Sequence, residues 1–390
     1  MKIGDILSEF KAKPPVGEDP EVLTLTERNG FVRQSERFNK RLATEDVSNY
    51  KFIGRDDFAF NPYLLWAGAL ARNDRFGAGV ISPLYPTFQV KSGFDPAYVI
   101  RILLADSSIK RYDSIAFGSV PRRRRSSVKD FLGLGIPSLP PLAEQRRIAD
   151  ILDKADALRA KRREAIAHLD ALNQSIFHEM FGNPVQNERG WRKDTLSSLL
   201  SGIDSGKSPV CSDRPANEGE GGLLKLSAVT SGRWLPRENK AFKDASSDPR
   251  HAVGIGDVLF TRKNTPSLVA AVARVDALPL PLFMPDLIFR LRVRDERVLE
   301  SGFLAAVLQN GSQRQSIQRL ASGSAQSMVN ISKAKLSGVS IPVPPLDLQQ
   351  EFKARVSAVE HLKATQRTQL DELDNLFLSL QDRAFKGELS

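Results

Sequence analysis

The stretch with the most enzymatic look is Gly202 to Ser208, GIDSGKS. A phosphate-cradling loop needs four residues between its first glycine and the Gly-Lys pair, so that successive backbone N–H groups wrap one phosphate. Only Ile203, Asp204 and Ser205 intervene here, one residue too few. The chain has 4 histidines, His168, His178, His251 and His361, and none shows metal-ligand spacing. The single cysteine, Cys211, excludes an intrachain disulfide and a cysteine-built zinc site, and with His168 it forms no recognisable nucleophile pair. Glu351-Phe352-Lys353 imitates the end of a nuclease carboxylate–lysine motif, but it opens a helix instead of following a strand.

Asn61-Pro62-Tyr63 is similar to the catalytic tetrapeptide of amino-methyltransferases, yet the second proline of that motif is absent. Phe76-Gly77-Ala78-Gly79 follows no clear strand–helix unit and makes a poor cofactor loop. What is left is binding chemistry. Lys and Arg number 56 against 46 Asp and Glu, a formal charge of +10 that favours a polyanionic partner. By segment, residues 1–135 carry 21 basic and 16 acidic groups, 136–183 carry 7 and 7, 184–340 carry 22 and 15, and 341–390 carry 6 and 8. The excess therefore sits in the first and third segments, and the two others are spacers.

Within the charged segments the cations cluster in loops: Arg122, Arg123, Arg124 and Arg125 in GSVPRRRRSS, Lys207 and Ser208, and Thr261, Arg262, Lys263 and Asn264 after the strand-like VLF. Lys40, Arg41, Asn61, Arg75 and Gln326 complete the candidate DNA-binding set. Arginine, asparagine and glutamine can make bidentate contacts to guanine or adenine edges, and half or more of such hydrogen bonds go to phosphates. Aromatic residues are 7% of the chain, too few for single-strand stacking platforms, so duplex DNA is the expected ligand.

The elements that must hold these loops are written twice. Pro140 to Phe181 aligns without a gap to Pro344 to Phe385, with Gln145 over Gln349, Leu158 over Leu362, Asp170 over Asp374 and Leu172 over Leu376. Upstream, RDDFAFNP (Arg55 to Pro62) parallels IGDVLFTR (Ile255 to Arg262), so the repeat unit is a globular domain followed by a helix. Each helix follows a proline-rich stop, IPSLPP or IPVPP, and runs for about forty residues, roughly 60 Å. Ile148, Ile151, Ala155, Leu158, Leu169, Leu172 and Ile176 in the first, and Phe352, Val359, Leu362, Leu373, Leu376 and Leu380 in the second, predict a coiled-coil seam between them. Strand-like runs such as DVLFT (257–261) alternate with helical ones such as SGFLAAVLQNG, which reads as α+β. The expected organisation is a first domain over 1–135, a helix over 136–183, a second domain over 184–340 and a helix over 341–390, with pseudo-twofold symmetry. No run approaches the ~18 apolar residues of a membrane span, and the N-terminus lacks a signal-peptide core, so a cytoplasmic protein with no membrane partner is expected.

These residues carry a resemblance. PPLAEQRRI, its second copy PPLDLQQEF, RFNKRLATEDVSNYKFIGRDDFAFNP, GVISPLYPTFQVK, and GDVLFTR followed by GSAQSMVNIS are similar to segments of the specificity (S) subunits of type I restriction-modification systems, over essentially the whole chain. The resemblance implies two target-recognition domains, each reading one half of a split DNA site, with the two helices antiparallel and fixing the unread spacer. It implies two methyltransferase (M) subunits and two restriction (R) subunits as partners. The reactions, with their S-adenosylmethionine, ATP and Mg, would belong to those partners, and this chain would bind no cofactor and catalyse nothing. The competing reading is a coiled-coil scaffold of a defence assembly that does not select DNA sequence.

Overall fold

A computed structural model describes every residue except 16–19, 28, 38–46, 119–123, 243–247, 324–327 and 387–390. In chain order the elements that position the candidate site are β1 (Leu7–Phe10), β2 (Phe58–Phe60), β3 (Leu70–Arg72), β4 (Thr87–Val90), α1 (Pro96–Leu103) and α2 (Leu142–Phe181). They are followed by β5 (Leu200–Ser205), β6 (Val258–Thr261), β7 (Val272–Arg274), β8 (Ile288–Val293), α3 (Ser301–Gln309) and α4 (Leu346–Lys386). The chain divides into two compact units, Met1–Arg162 with Gln369–Ser390, and Arg163–Thr368. Each unit therefore holds one globular domain and a length of both long helices.

In the first unit, four antiparallel strands run in the order β1-β4-β2-β3. The central strand, Phe58-Ala59-Phe60, is buried at every position because both faces of the sheet are covered. On one face Phe60 meets Phe88 and Phe131 at ring distances of 5.6 and 4.8 Å. On the other, Ala59 and Ala71 pack beneath the hairpin formed by Leu23–Leu25 and Phe31–Arg33. The second unit repeats the plan, with β5-β8-β6-β7 in the same order, all antiparallel, and Phe260 opposite Phe289. Helix α1 starts at Asp95, whose carboxylate accepts the Tyr98 N–H at 3.0 Å with Pro96 preset in the first turn. Its counterpart α3 starts at Glu300, which accepts from Phe303 N at 2.9 Å.

Inside each unit the two long helices run antiparallel. In the second unit, as α2 proceeds from Asp170 through Asn173 to Phe177, its partners on α4 step backwards from Lys363 through Glu360 to Phe352. In the first unit Arg159 on α2 meets Asp374 at 2.5 Å and lies 4.3 Å from the centre of the Phe377 ring on α4. The pairing corrects part of the expected seam. Ile148, Ala155, Ile176, Phe352 and Val359 are buried as expected, while Ile151, Leu169, Leu373 and Leu380 are half-buried. Leu158, Leu172, Leu362 and Leu376, however, are 54%, 43%, 46% and 50% exposed. The inward positions are one residue later, at Leu152, Arg159, Asn173, Lys363 and Phe377. Three of these are polar, and they turn inward because each finds an opposite charge or hydrogen-bond partner on the facing helix. A reading that followed the leucines was therefore drawn to the flank of the seam.

Candidate nucleic-acid interface

Asn61, Arg125, Arg262 and Lys263 lie where the chain leaves the central strand of each sheet, whereas among the described residues no contact brings Arg75, Lys207 or Ser208 to those places. In the first unit that strand ends in Asn61-Pro62-Tyr63, a turn closed by Asn61 Oδ1, which accepts the Tyr63 N–H at 3.0 Å. The chain returns later to the same place, and Ser126 N donates to the Pro62 carbonyl at 2.9 Å. This brings the exposed Arg125 over the half-exposed Tyr63 ring, 5.8 Å from its centre. In the second unit the strand ends in Thr261-Arg262-Lys263-Asn264, and Ile331 N donates to the Arg262 carbonyl at 2.8 Å. Lys263 and Asn264 pair with Asn330 and Val329 as a short ladder. Arg262 donates to Asn330 Oδ1 at 3.1 Å and lies over Phe289, with Lys333 over the same ring at 5.7 Å. The same backbone junction thus presents an arginine on tyrosine in one unit and an arginine, two lysines and an asparagine in the other.

Several expected contacts are overturned by what these side chains already do. Thr261 is 0% exposed, and its hydroxyl accepts the Ala271 N–H at 2.9 Å, closing the turn inside the core. Asn264 is also buried, with its amide donating to Thr230 and its oxygen accepting from Thr265 N. Neither has an edge to offer a base. Arg124 is committed to Asp113 at 2.6 Å and to the carbonyls of Asp113 and Ala116, so it fastens its loop. Ser208 donates to Asp286. Gly206 is small because any Cβ there would lie 1.8 Å from the Met284 carbonyl oxygen; it serves a close backbone approach, and Lys207 beside it is exposed. Arg75 is exposed at a turn. Lys40, Arg41, Arg122, Arg123 and Gln326 lie outside the described residues.

The sequence reading missed the residues that hold the second turn in place. Arg314 and Gln318 reach from one helical turn to the next and donate to the carbonyls of Ser267, Leu268 and Val269. Burial without a facing carboxylate pushes the Arg314 guanidinium below its ordinary range. Nothing in the sequence marks these residues, because their partners are backbone carbonyls some fifty positions away. Among the described residues no group of His, Cys, Asp and Glu is placed to hold a metal ion, and no helix is long and apolar enough to cross a membrane.

Two solved structures share this architecture across the chain. The S subunit of a type I restriction-modification system from M. genitalium, 15% identical, superposes with a TM-score of 0.59 over 99% of this chain and 95% of that one. This chain has the type I S-subunit fold. A second chain, from a structure that addresses complex assembly and conformational transition of the type I R-M system, is 20% identical with a TM-score of 0.55, covering 100% and 97%. Curated relatives with the same name agree. The EcoEI specificity subunit of Escherichia coli is 28% identical over 203 residues, 50% of this chain and 34% of that protein. The EcoKI specificity subunit of Escherichia coli strain K12 is 24% identical over 277 residues, 66% and 58% of the two. The MjaVIII specificity subunit of Methanocaldococcus jannaschii is 21% identical over 418 residues, 100% and 92%. The matches thus span about a third and just over half of the first two relatives. No family model matches the chain.

Proposed function

We propose that this chain selects the DNA sequence on which a type I restriction-modification complex acts, each domain reading one half of a split site, with no catalysis of its own. One observation carries the reading: the same junction, Pro62 with Ser126 and Arg262 with Ile331, recurs in both units with different side chains around it. Two copies of one scaffold bearing different polar groups suit two different half-sequences, because base edges are told apart by the pattern of donors and acceptors offered to them. Arg125, Arg262, Lys263 and Lys333 are the candidates for direct contact, with Lys207 and Arg75 on phosphates. The partners proposed are duplex DNA, two methyltransferase subunits and two restriction subunits, which would bring S-adenosylmethionine, ATP and Mg. Two copies of a partner fit the helices, since the exposed Leu158 and Leu172 on α2 recur as Leu362 and Leu376 on α4, which are exposed too.

Methylation mapping of cells carrying the locus, with and without this chain, tests the reading. A methylated split sequence that disappears with the chain supports it. Methylation unaffected by the deletion leaves only the scaffold. In the assembled complex, Arg262→Ala and Arg125→Ala should each weaken binding by about 1–3 kcal/mol at one half-site alone if the contact is to a base. A uniform loss on all sequences would mark a phosphate contact instead.

A further inference from the structure

Gln145 and Gln349 occupy matched positions in the two repeats, one turn inside each long helix, and are 1% and 0% exposed. A buried primary amide is costly unless its donors and acceptor are all used, so its partners show what the position is for. Gln145 Oε1 accepts the Asp95 N–H at 2.9 Å, and its Nε2 donates to the Pro140 carbonyl at 2.8 Å. Gln349 Oε1 accepts the Glu300 N–H at 2.9 Å, and its Nε2 donates to Pro344 and Val298 at 2.7 and 3.0 Å. Asp95 and Glu300 are the capping residues of α1 and α3. Each glutamine therefore joins three things at one point: the proline stop before its long helix, the helix itself, and the first residue of the main helix of the domain above.

The surroundings make this point a joint with little freedom. Lys353 on α4 pairs with the Glu300 carboxylate at 2.9 Å, and in the other unit Arg146 approaches Asp95 at 3.9 Å. Tyr98, three residues into α1, packs edge-on against Phe385 at 6.2 Å, and Phe303, three residues into α3, packs edge-on against Phe181 at 4.9 Å. Ring packing of this kind is not strictly directional. Hydrogen bonds are, and the glutamine supplies the ones that fix the angle between domain and helix.

We propose that Gln145 and Gln349 are positioning residues for DNA selection: each sets the angle at which its domain leaves its long helix, and so where the reading face meets the duplex. The proposal rests on the reading of this chain as a DNA selector only in its last step. Methionine has the length and shape of glutamine without its hydrogen bonds, which makes Gln145→Met and Gln349→Met the direct variants.

The first test needs no DNA. Spin labels at Arg55→Cys and Lys154→Cys, both exposed and in the first unit, in the full chain with Cys211→Ser, report the distance from domain to helix. Gln145→Met should broaden that distance distribution while Gln349→Met leaves it as in the parent. An unaltered distribution in Gln145→Met overturns the proposal. Should Gln145→Met not fold, Gln145→Leu, which removes both hydrogen bonds with a smaller side chain, serves in its place with the same expectation.

The second test measures binding by the assembled complex to duplexes with the half-sites moved apart or together one base pair at a time. The parent should prefer one spacing, and Gln145→Met should flatten that preference about tenfold while keeping the half-sequence choice. An even loss at every spacing would mean a merely structural glutamine. A parent with no sequence preference would instead sink the DNA-selecting function, leaving the label distances to judge the joint.

Discussion

The two units share a strand order and a joint, yet they hold a pair of matched acids, Asp57 buried and Asp257 half-buried, in different ways. Asp57 and Asp257 precede the central strands at matched positions, and each accepts the N–H of the glycine three residues earlier, Gly54 at 2.7 Å and Gly254 at 2.8 Å. The residue before each aspartate adopts a left-handed backbone: Gly256, at φ 91°, bears it without strain, whereas the first unit uses Asp56 at φ 66°. Beyond that the units diverge. Asp257 faces Arg290, which also grips Asp204 at 2.8 Å and the carbonyls of Ala252 and Arg250. In the first unit the matching strand carries Gln89, which hydrogen-bonds Asp57, and among the described residues no ion pair reaches that carboxylate. The backbone geometry is common to the two copies, and the charges around it are not.

The joint shows the same division and carries the largest expected effect. In the second unit four rings, Phe177, Phe181, Phe303 and Phe352, meet where the helices reach the domain. In the first, Ile148 stands where Phe352 stands, beside the single ring pair of Tyr98 and Phe385. Phe352→Ala should cost about 3–5 kcal/mol and Ile148→Ala about 2–4 kcal/mol. Urea denaturation followed by hydrogen exchange in each unit measures both. A larger loss for Ile148→Ala would show that ring packing is not what makes the second joint firm.

How much of this was legible in the sequence follows from what each residue's partners are. The duplicated helices, their proline starts and the central strands showed themselves because Gln145 and Gln349 recur 204 residues apart, and Phe60 and Phe260 200 apart, with the periodicity of their elements. The helix pairing was legible in kind but not in register, since Leu158 and Leu172 look like seam residues until Arg159 and Asn173 are seen to find partners across it. The loops at the strand ends were legible as loops, but which of their side chains are free to bind was misjudged. Thr261, Asn264 and Arg124 have the right chemistry, but their donors and acceptors are spent on Ala271, Thr230 and Asp113. Charge and loop position cannot reveal a side chain whose partner is brought to it only by the fold.

Across the seam the repeat makes one bond twice, a cation from one helix to an aspartate of the other. Arg159 pairs with Asp374 in the first unit, and the matched Lys363 pairs with Asp170 at 2.7 Å in the second. Lys363 is the more deeply buried of the two cations, and it also holds Glu360. Lys363→Met should therefore cost about 2–3 kcal/mol, because it removes a cation only 4% exposed and leaves Asp170 to Arg233 and Glu360 to the Asn173 amide. Arg159→Met should cost less, about 1–2 kcal/mol, since Asp156 keeps Arg101 at 2.7 Å. The double change Lys363→Met with Asp170→Leu should recover part of the loss. Urea midpoints with unchanged slopes decide it; equal costs for the two cations would mean that burial is not what separates them.

The smallest effect is the most diagnostic of the difference between the units. Burial pushes the Asp57 carboxyl above its ordinary range, against hydrogen bonds from Gly54 and Gln89 that pull it down. A folded-state value above the unfolded one means that the native state binds the proton more tightly, so stability is greatest below the unfolded value and falls as pH rises through the folded one. Asp57→Asn keeps an oxygen for the Gly54 N–H and removes the charge, so at neutral pH it should gain up to about 1 kcal/mol and flatten the decline that begins near pH 4. For Asp204 burial also acts upward, but the hydrogen bonds from Arg290 and Arg292 outweigh it and hold that carboxyl below its ordinary range. Its contribution runs the other way, present at neutral pH and lost as pH falls through the folded value. Asp257→Asn takes one of two acids from Arg290 and should cost about 1 kcal/mol at neutral pH. Denaturation midpoints for the two variants between pH 4 and 8 should thus shift in opposite directions. If both variants lose stability at neutral pH, Asp57 has a cationic partner after all, and the contrast between the units disappears.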